Sequence, residues 1–289
     1  MNTRRKPLKV THEKYVDDLT ILEAIDIKKQ VQLDPNPNPT RPVPFHLRTG
    51  HYLPAENSLI SEQLGKLERY AEEHEMRINC SKTKLMLFNK SRTADIQPEL
   101  YVNETRIDMV EETKLLGVVL TSDLKWKQNT QFIVEKCYSR LWIIKRLKSL
   151  NCPADQLVDS YVKQVRSILE MACPVWHPAL TKADSKTLER VQKSALYIIL
   201  GSGYNSYESG LDTLDLENLE DRRDSLCLNF ALKSAAHPHH SKWFQKTQAG
   251  PDTRNQNFYQ PVWTRTGRYR DSPVPYMTDL LNNYYRNKK

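Results

Sequence analysis

The sequence predicts an α+β chain in which a series of short strands gives way to helices near residue 127. Between Met76 and Leu120, short β-type runs alternate with turn residues, whereas from Lys127 onward the apolar residues recur with a helical period. A third feature divides the first half. The segment 34–44 carries five prolines, which forbid helix or central strand and favour extended polyproline-type backbone, so it is expected to be a surface loop or insert.

The elements follow in order. Lys14-Tyr15-Val16-Asp17-Asp18 opens into the apolar stretch Leu19-Thr20-Ile21-Leu22, which predicts a tight turn between strands. Two adjacent carboxylates repel unless a cation sits between them. Magnesium, which takes oxygen ligands, is the natural counter-ion, and the alternative is an ordinary solvated turn. From Ser58, residues Ile60, Leu64, Leu67, Ala71 and His74 form the stripe of a helix, with Glu62 and Lys66 paired on its wet face. Met76 to Asn79 and Lys84 to Phe88 read as a hairpin joined by Cys80-Ser81-Lys82-Thr83. Leu100-Tyr101-Val102 and Thr105-Arg106-Ile107 flank a turn at Asn103-Glu104, and Lys114 to Leu120 adds to a small antiparallel sheet.

In the helical half, Ile133, Cys137, Leu141, Ile144 and Leu147 share one face, and Asn151-Cys152-Pro153 stops that helix. Leu157, Tyr161, Val165, Ile168 and Ala172 mark a second helix, ended before Pro174. A third is signed by a capping box at Thr181 and Asp184, by Leu188, Val191, Ala195 and Ile199 inside, and by Gly201 as C-terminal cap. Beyond Pro238 the chain is rich in Gln, Asn, Pro and Tyr with little periodicity, which predicts a partly ordered tail. The expected organisation is therefore 1–126 mixed, 127–236 helical, and 237–289 a basic tail.

Composition narrows the class. The 289 residues are 39% hydrophobic, enough for a packed core. No run approaches the ~18 apolar residues of a membrane span, and Met1-Asn2-Thr3-Arg4-Arg5-Lys6 leads into no signal-peptide stretch. An intracellular protein of nucleus or cytoplasm, with no membrane partner, is expected. Five dispersed cysteines without a Cys-x-x-Cys pair read as reduced thiols, and His237, His239 and His240 as loop histidines. The 43 Lys and Arg against 35 Asp and Glu favour a polyanionic partner. The bias is local: between Lys125 and Leu150 seven basic residues face the single acid Glu135, with Trp126, Tyr138 and Trp142 interleaved. Basic groups neutralise phosphates and aromatic faces stack on bases, which selects Lys136, Arg140, Trp142, Lys145 and Lys148 as candidate nucleic-acid contacts. From His237 onward nine Lys or Arg stand against three Asp, repeating the bias.

The order of these segments resembles the reverse transcriptase of non-LTR retrotransposons, the jockey and chicken-repeat-like LINE elements. The residues that carry it are the box Lys14 to Asp18, the stretch Met76 to Lys84 with Asn79 and Lys82, the hairpin with Leu115-Leu116-Gly117-Val118, and Asp123-Leu124-Lys125-Trp126 before a long helix. Pro174-Val175-Trp176-His177-Pro178 and Arg265 to Tyr276 resemble the region after the palm and the end of such polyproteins. The resemblance implies part of a palm, made of antiparallel hairpins plus one helix, followed by a helical thumb and a partly disordered tail.

What it implies for the site is an RNA-directed DNA polymerase acting on an RNA template and DNA primer, with deoxynucleotides and Mg2+. Asp17 and Asp18 would be catalytic metal ligands. Lys82 would stabilise charge near the leaving pyrophosphate or act there as a general acid, or is an ordinary turn lysine. Leu116 and Gly117 would form the primer grip, glycine allowing close approach of the primer end. Tyr15 would pack against the nucleic-acid backbone, or fills the core as a strand aromatic. The family's upstream aspartate, Pro-Gln-Gly loop and basic fingers have no counterpart in these residues, so the chain is expected to correspond to the C-terminal half of such an enzyme, inactive alone. The alternative is a non-catalytic nucleic-acid-binding protein derived from a retroelement.

Overall fold

The computed structural model describes residues 60–88, 100–247 and 258–288 in full, and only the backbone of Leu59 and of six short strands. It is a mixture of helix and sheet, α+β in class. The chain divides into two compact units, residues 1–113 with 122–124, and residues 114–121 with 125–289.

In the first unit β1 (Thr11–Tyr15) and β2 (Asp18–Leu22) pair antiparallel, Tyr15 opposite Asp18 and Thr11 opposite Leu22. Next come β3 (Gln32–Leu33), β4 (Phe45–Leu47), β5 (His51–Leu53), helix α1 (Leu59–Glu73), β6 (Lys84–Leu85) and β7 (Ile96–Pro98). Strands β3, β5, β4 and β7 lie in that order in one antiparallel sheet. The proline-rich segment 34–44 falls outside the described residues. Helix α1 has the expected stripe from Ile60 to Ala71, buried at Ala71, while His74 lies just past its end and is exposed; the expected Lys66–Glu62 ion pair, at 2.6 Å, holds the Glu62 carboxyl below its ordinary range. Strands β8 (Tyr101–Val102) and β9 (Thr105–Arg106) form the expected hairpin. Asn103 and Glu104 both take positive φ, 46° and 59°, the turn that matches strand twist. The backbone N–H of Asn103 donates to Glu68 of α1 at 2.6 Å, and Val102 is fully buried.

The hairpin expected over Met76 to Phe88 does not form. Asn79 instead organises a tight turn: its Oδ1 accepts from Ser81 Oγ at 2.7 Å and from the N–H of Lys82 at 3.2 Å, and its carbonyl accepts from Thr83. Such local side-chain bonds compete with a ladder for the same backbone groups. Strand β6 is left to pair in parallel with β10 (Asp108–Met109).

The second unit takes up a hairpin of β11 (Glu112–Leu115) and β12 (Val118–Thr121) at Lys114, and then helices throughout. Helix α2 (Lys127–Ser149) buries Ile133, Cys137, Leu141 and Ile144 as its period predicts. Helix α3 (Ala154–Tyr161) runs through a π turn (Val162–Arg166) into α4 (Ser167–Glu170), and α5 (Cys173–Trp176) follows after Ala172 takes a left-handed φ of 53°. The extra residue in the wide π turn rotates everything after it, so Leu169 rather than Ile168 is fully buried. Helix α6 (Lys182–Leu200) is capped as expected, Thr181 Oγ1 accepting from the Asp184 N–H at 3.1 Å and Gly201 closing the end at φ 59°. Helices α7 (Tyr207–Leu214), α8 (Leu219–Ala236), α9 (Gly267–Arg270) and α10 (Pro273–Asn287) complete the unit. All five cysteines are free thiols, and burial pushes Cys137 up to about 12.

Helix α10 was not evident from the composition of the tail. It packs Met277 and Leu281 into the core, and Asn282 bonds both backbone groups of Tyr259, at 2.9 and 3.0 Å. A polar clasp also ties it down. His177 Nε2 donates to Asp224 Oδ1 at 2.7 Å, and the Tyr276 hydroxyl donates to the same oxygen. Burial opposes the charge on Asp224, but the hydrogen bonds from His177 and Tyr276 and the nearby Arg223 guanidinium outweigh it and hold the carboxyl below its ordinary 3.8. A carboxyl depressed in the folded state adds stability that is present above its unfolded value and is lost as pH falls through the folded one. Asp224→Asn is therefore expected to flatten the decline in stability below about pH 4; urea unfolding across pH measures it, and an unchanged acid limb would count against the clasp.

Candidate nucleic-acid interface

The cation-rich helix α2 forms because its apolar residues recur at four- and three-residue steps, leaving a wide face with no packing role. Along that face Gln131, Glu135, Tyr138, Trp142 and Lys145 fall on one line. Tyr138 is 47% exposed and Trp142 67%, and neither ring stacks on another or holds a cation among the described residues. Lys145 and Arg146 stand one turn beyond Trp142, exposed. Arg140 is also exposed, but two residues from both Tyr138 and Trp142 it stands on the other side of the helix from the row. None of Arg140, Lys145 and Arg146 forms an ion pair among the described residues, so their charge is uncompensated locally.

Other residues selected from the sequence have local partners. Lys148 continues the buried line four residues beyond Ile144, and its Nζ donates to the carbonyl of Ile199 at 2.8 Å, capping the end of α6. Lys136 and Lys114 both sit over the ring of Phe132, at 5.2 and 4.6 Å from its centre. Trp126 is buried at the start of the helix.

At the hairpin of β11 and β12, Leu116 and Gly117 occupy the turn with φ of 46° and 86°. Leu116 is 53% exposed. The positive φ favours glycine at 117, and so does space, since a Cβ there would come within 2.9 Å of Met171 Cε. The close approach that glycine permits is thus to the protein's own Met171. Behind the hairpin, Asn129 Oδ1 accepts from the Val119 N–H at 3.0 Å and fastens it to α2.

In the first unit, Lys82 is exposed on the Asn79 turn, its N–H donating to the Asn79 carbonyl at 3.1 Å. Asp17 lies outside the described residues, as do the side chains of Tyr15 and Asp18; of these two the backbone pairing alone is described. Among the described residues no group of three or more His, Cys, Asp or Glu is placed to hold a metal ion, and no helix is long and apolar enough to cross a membrane. No family model, curated protein or solved structure matches this chain.

Two charged groupings escaped the sequence reading. Glu170 receives Arg222 on both carboxylate oxygens and Arg166 at 3.5 Å, while Arg223 is wholly buried, its Nε donating to His177 Nδ1 at 3.1 Å. His177 lies in the segment Pro174 to Pro178 that the sequence marks, but its partners in α8 have no mark in sequence that separates them from ordinary surface charges.

Proposed function

We propose that the chain is the later part of the palm and the helical region of an RNA-directed DNA polymerase of the non-LTR retrotransposon kind. The observation that carries the reading is the antiparallel pairing of Thr11–Tyr15 with Asp18–Leu22, Tyr15 opposite Asp18, in a chain whose later segments follow the family's order. The adjacent carboxylates of Asp17 and Asp18 suit Mg2+, an oxygen-seeking ion. Lys82, Leu116 and Gly117 take the roles near the nucleotide and primer that the resemblance implies, and α2 offers its cations to template and primer phosphates.

A second reading keeps only the binding: a retroelement-derived protein that holds nucleic acid without chemistry. It is favoured by the exposed aromatic and basic row on α2, which needs nothing from Asp17 or Asp18. Primer extension on an RNA template with Mg2+ and deoxynucleotides separates the two. The 289 residues alone are expected to incorporate nothing, because positioning and coordination in a two-metal transfer need more than one turn supplies. Joined to the fingers and first palm strands of a related retrotransposon enzyme, they are expected to extend the primer, and Asp17→Asn to abolish extension while leaving binding intact. Extension by the 289 residues alone would show that they are catalytically complete, and a joined chain that binds but never extends would leave the binding reading.

A further inference from the structure

The geometry of α2 points to a stacking platform for unpaired bases, and we propose that Tyr138 and Trp142 hold single-stranded nucleic acid in preference to duplex. The inference rests on the nucleic-acid reading above and names the form of ligand that this face takes. Tyr138 and Trp142 are four residues apart on a continuous helix, so their rings are separated by a rise of about 6 Å. Stacked bases along one strand are about 3.4 Å apart. Two consecutive bases therefore reach the two rings only when the strand is stretched and its own stack is opened. A duplex buries its base faces inside the stack and has none to offer an aromatic ring, whereas single strands present them freely.

The surroundings fit the same ligand. Trp142, at 67% exposure, is carried on a helix whose opposite face is packed in the core by Ile133, Cys137, Leu141 and Ile144, so the backbone beneath the ring is in place before binding. Lys145 and Arg146 follow Trp142 by one turn, placed for the phosphates of a strand whose bases lie on the rings. The acid of the row, Glu135, stands one turn before Tyr138 at the far end, where Gln131 approaches it at 3.4 Å. Lys148 and Lys136, engaged with Ile199 and Phe132, lie off the row. The charge is thus concentrated at the Trp142 end, which gives the strand a preferred place to be held.

The test uses the whole chain and fluorescence anisotropy with two probes, a labelled oligothymidylate and a blunt duplex of the same length. Wild type should prefer the single strand. Trp142→Ala should weaken single-strand binding about tenfold or more and leave duplex binding unchanged, as loss of one stacked base predicts. Trp142→Phe, which retains an aromatic face, should recover most of that loss. The residue's exposure makes both variants compatible with the fold. Single-strand affinity that survives Trp142→Ala, or an equal loss for both probes, would overturn the platform while the nucleic-acid reading stands. Wild-type protein that binds neither probe at low salt would overturn both.

Discussion

Arg223→Ala is expected to destabilise the helical unit by about 2–5 kcal/mol, the cost of emptying a wholly buried site and leaving its hydrogen-bond partners unbonded. The side chain has no exposed surface, so its removal leaves a cavity as well as lost bonds. Its Nε donates to His177 Nδ1 at 3.1 Å, its Nη2 donates to Ser185 Oγ at 3.2 Å, and its guanidinium lies 6.0 Å from the ring of Trp176. With Nδ1 accepting, the proton of His177 sits on Nε2 and is given to Asp224 at 2.7 Å. Arg223 therefore fixes the tautomer that links His177 through Asp224 to Tyr276 and α10. Burial pushes its own pKa down, with neighbouring carboxylates acting the other way, which is why the guanidinium is an expensive group to keep there. Arg223→Met separates packing from polarity. It refills much of the volume but leaves the His177 acceptor without a donor, so about 1–3 kcal/mol of loss should remain. Urea denaturation measures both variants. An alanine variant within about 0.5 kcal/mol of wild type, the range of ordinary surface substitutions, would remove Arg223 from the centre of the clasp.

Much of the fold could be read from local chemistry because it is set locally. The caps of α6, the stripe of α2 and the turn at Asn103 and Glu104 each depend on residues within a few positions of one another. What escaped depends on partners far away or on competition between local choices. At Asn79 a side chain that closes its own turn displaced a hairpin that propensity favoured. At Val162–Arg166 the π turn shifted the buried line by one residue, which a constant period cannot anticipate. Helix α10 was hidden because Pro273 and Pro275 read as loop, although prolines in the first turn lack only donors that have no partner there.

The candidate interface was legible as composition but not as a surface. Counting cations between Lys125 and Leu150 does not say which way each points, and the helical line does: Lys148 is seven residues beyond Leu141 and follows the buried face to Ile199. Tyr138, Trp142 and Lys145 lie on the outer line. The Tyr15 to Asp18 box was legible to the level of its backbone pairing.

Gln192→Leu is the second large loss expected, about 2–4 kcal/mol from several buried groups left unbonded together. Gln192 has no exposed surface and satisfies three partners. Its Oε1 accepts from the Tyr161 hydroxyl, and its Nε2 donates to the Tyr207 hydroxyl at 2.9 Å and to the Glu217 carbonyl at 2.8 Å. Tyr207 passes the chain on to Glu189, whose Oε1 also accepts from the Leu219 N–H at 3.1 Å, at the start of α8. The network thus ties α3, α6, α7 and α8 through one amide. Leucine fits the volume but strands the Tyr161 hydroxyl, which is wholly buried and has desolvation holding it in the neutral form. Adding Tyr161→Phe removes the stranded hydroxyl, so the double variant should be more stable than Gln192→Leu alone. Tyr161→Phe in the wild-type background should instead be destabilising, by about 1 kcal/mol, because there it removes a made bond. This reversal of sign is the mark of a direct hydrogen bond and amounts to a coupling within the range of contacting residues, about 0.5–3 kcal/mol. Thermal unfolding of the four proteins in the cycle decides it; additive losses would mean that Tyr161 and Gln192 contribute separately.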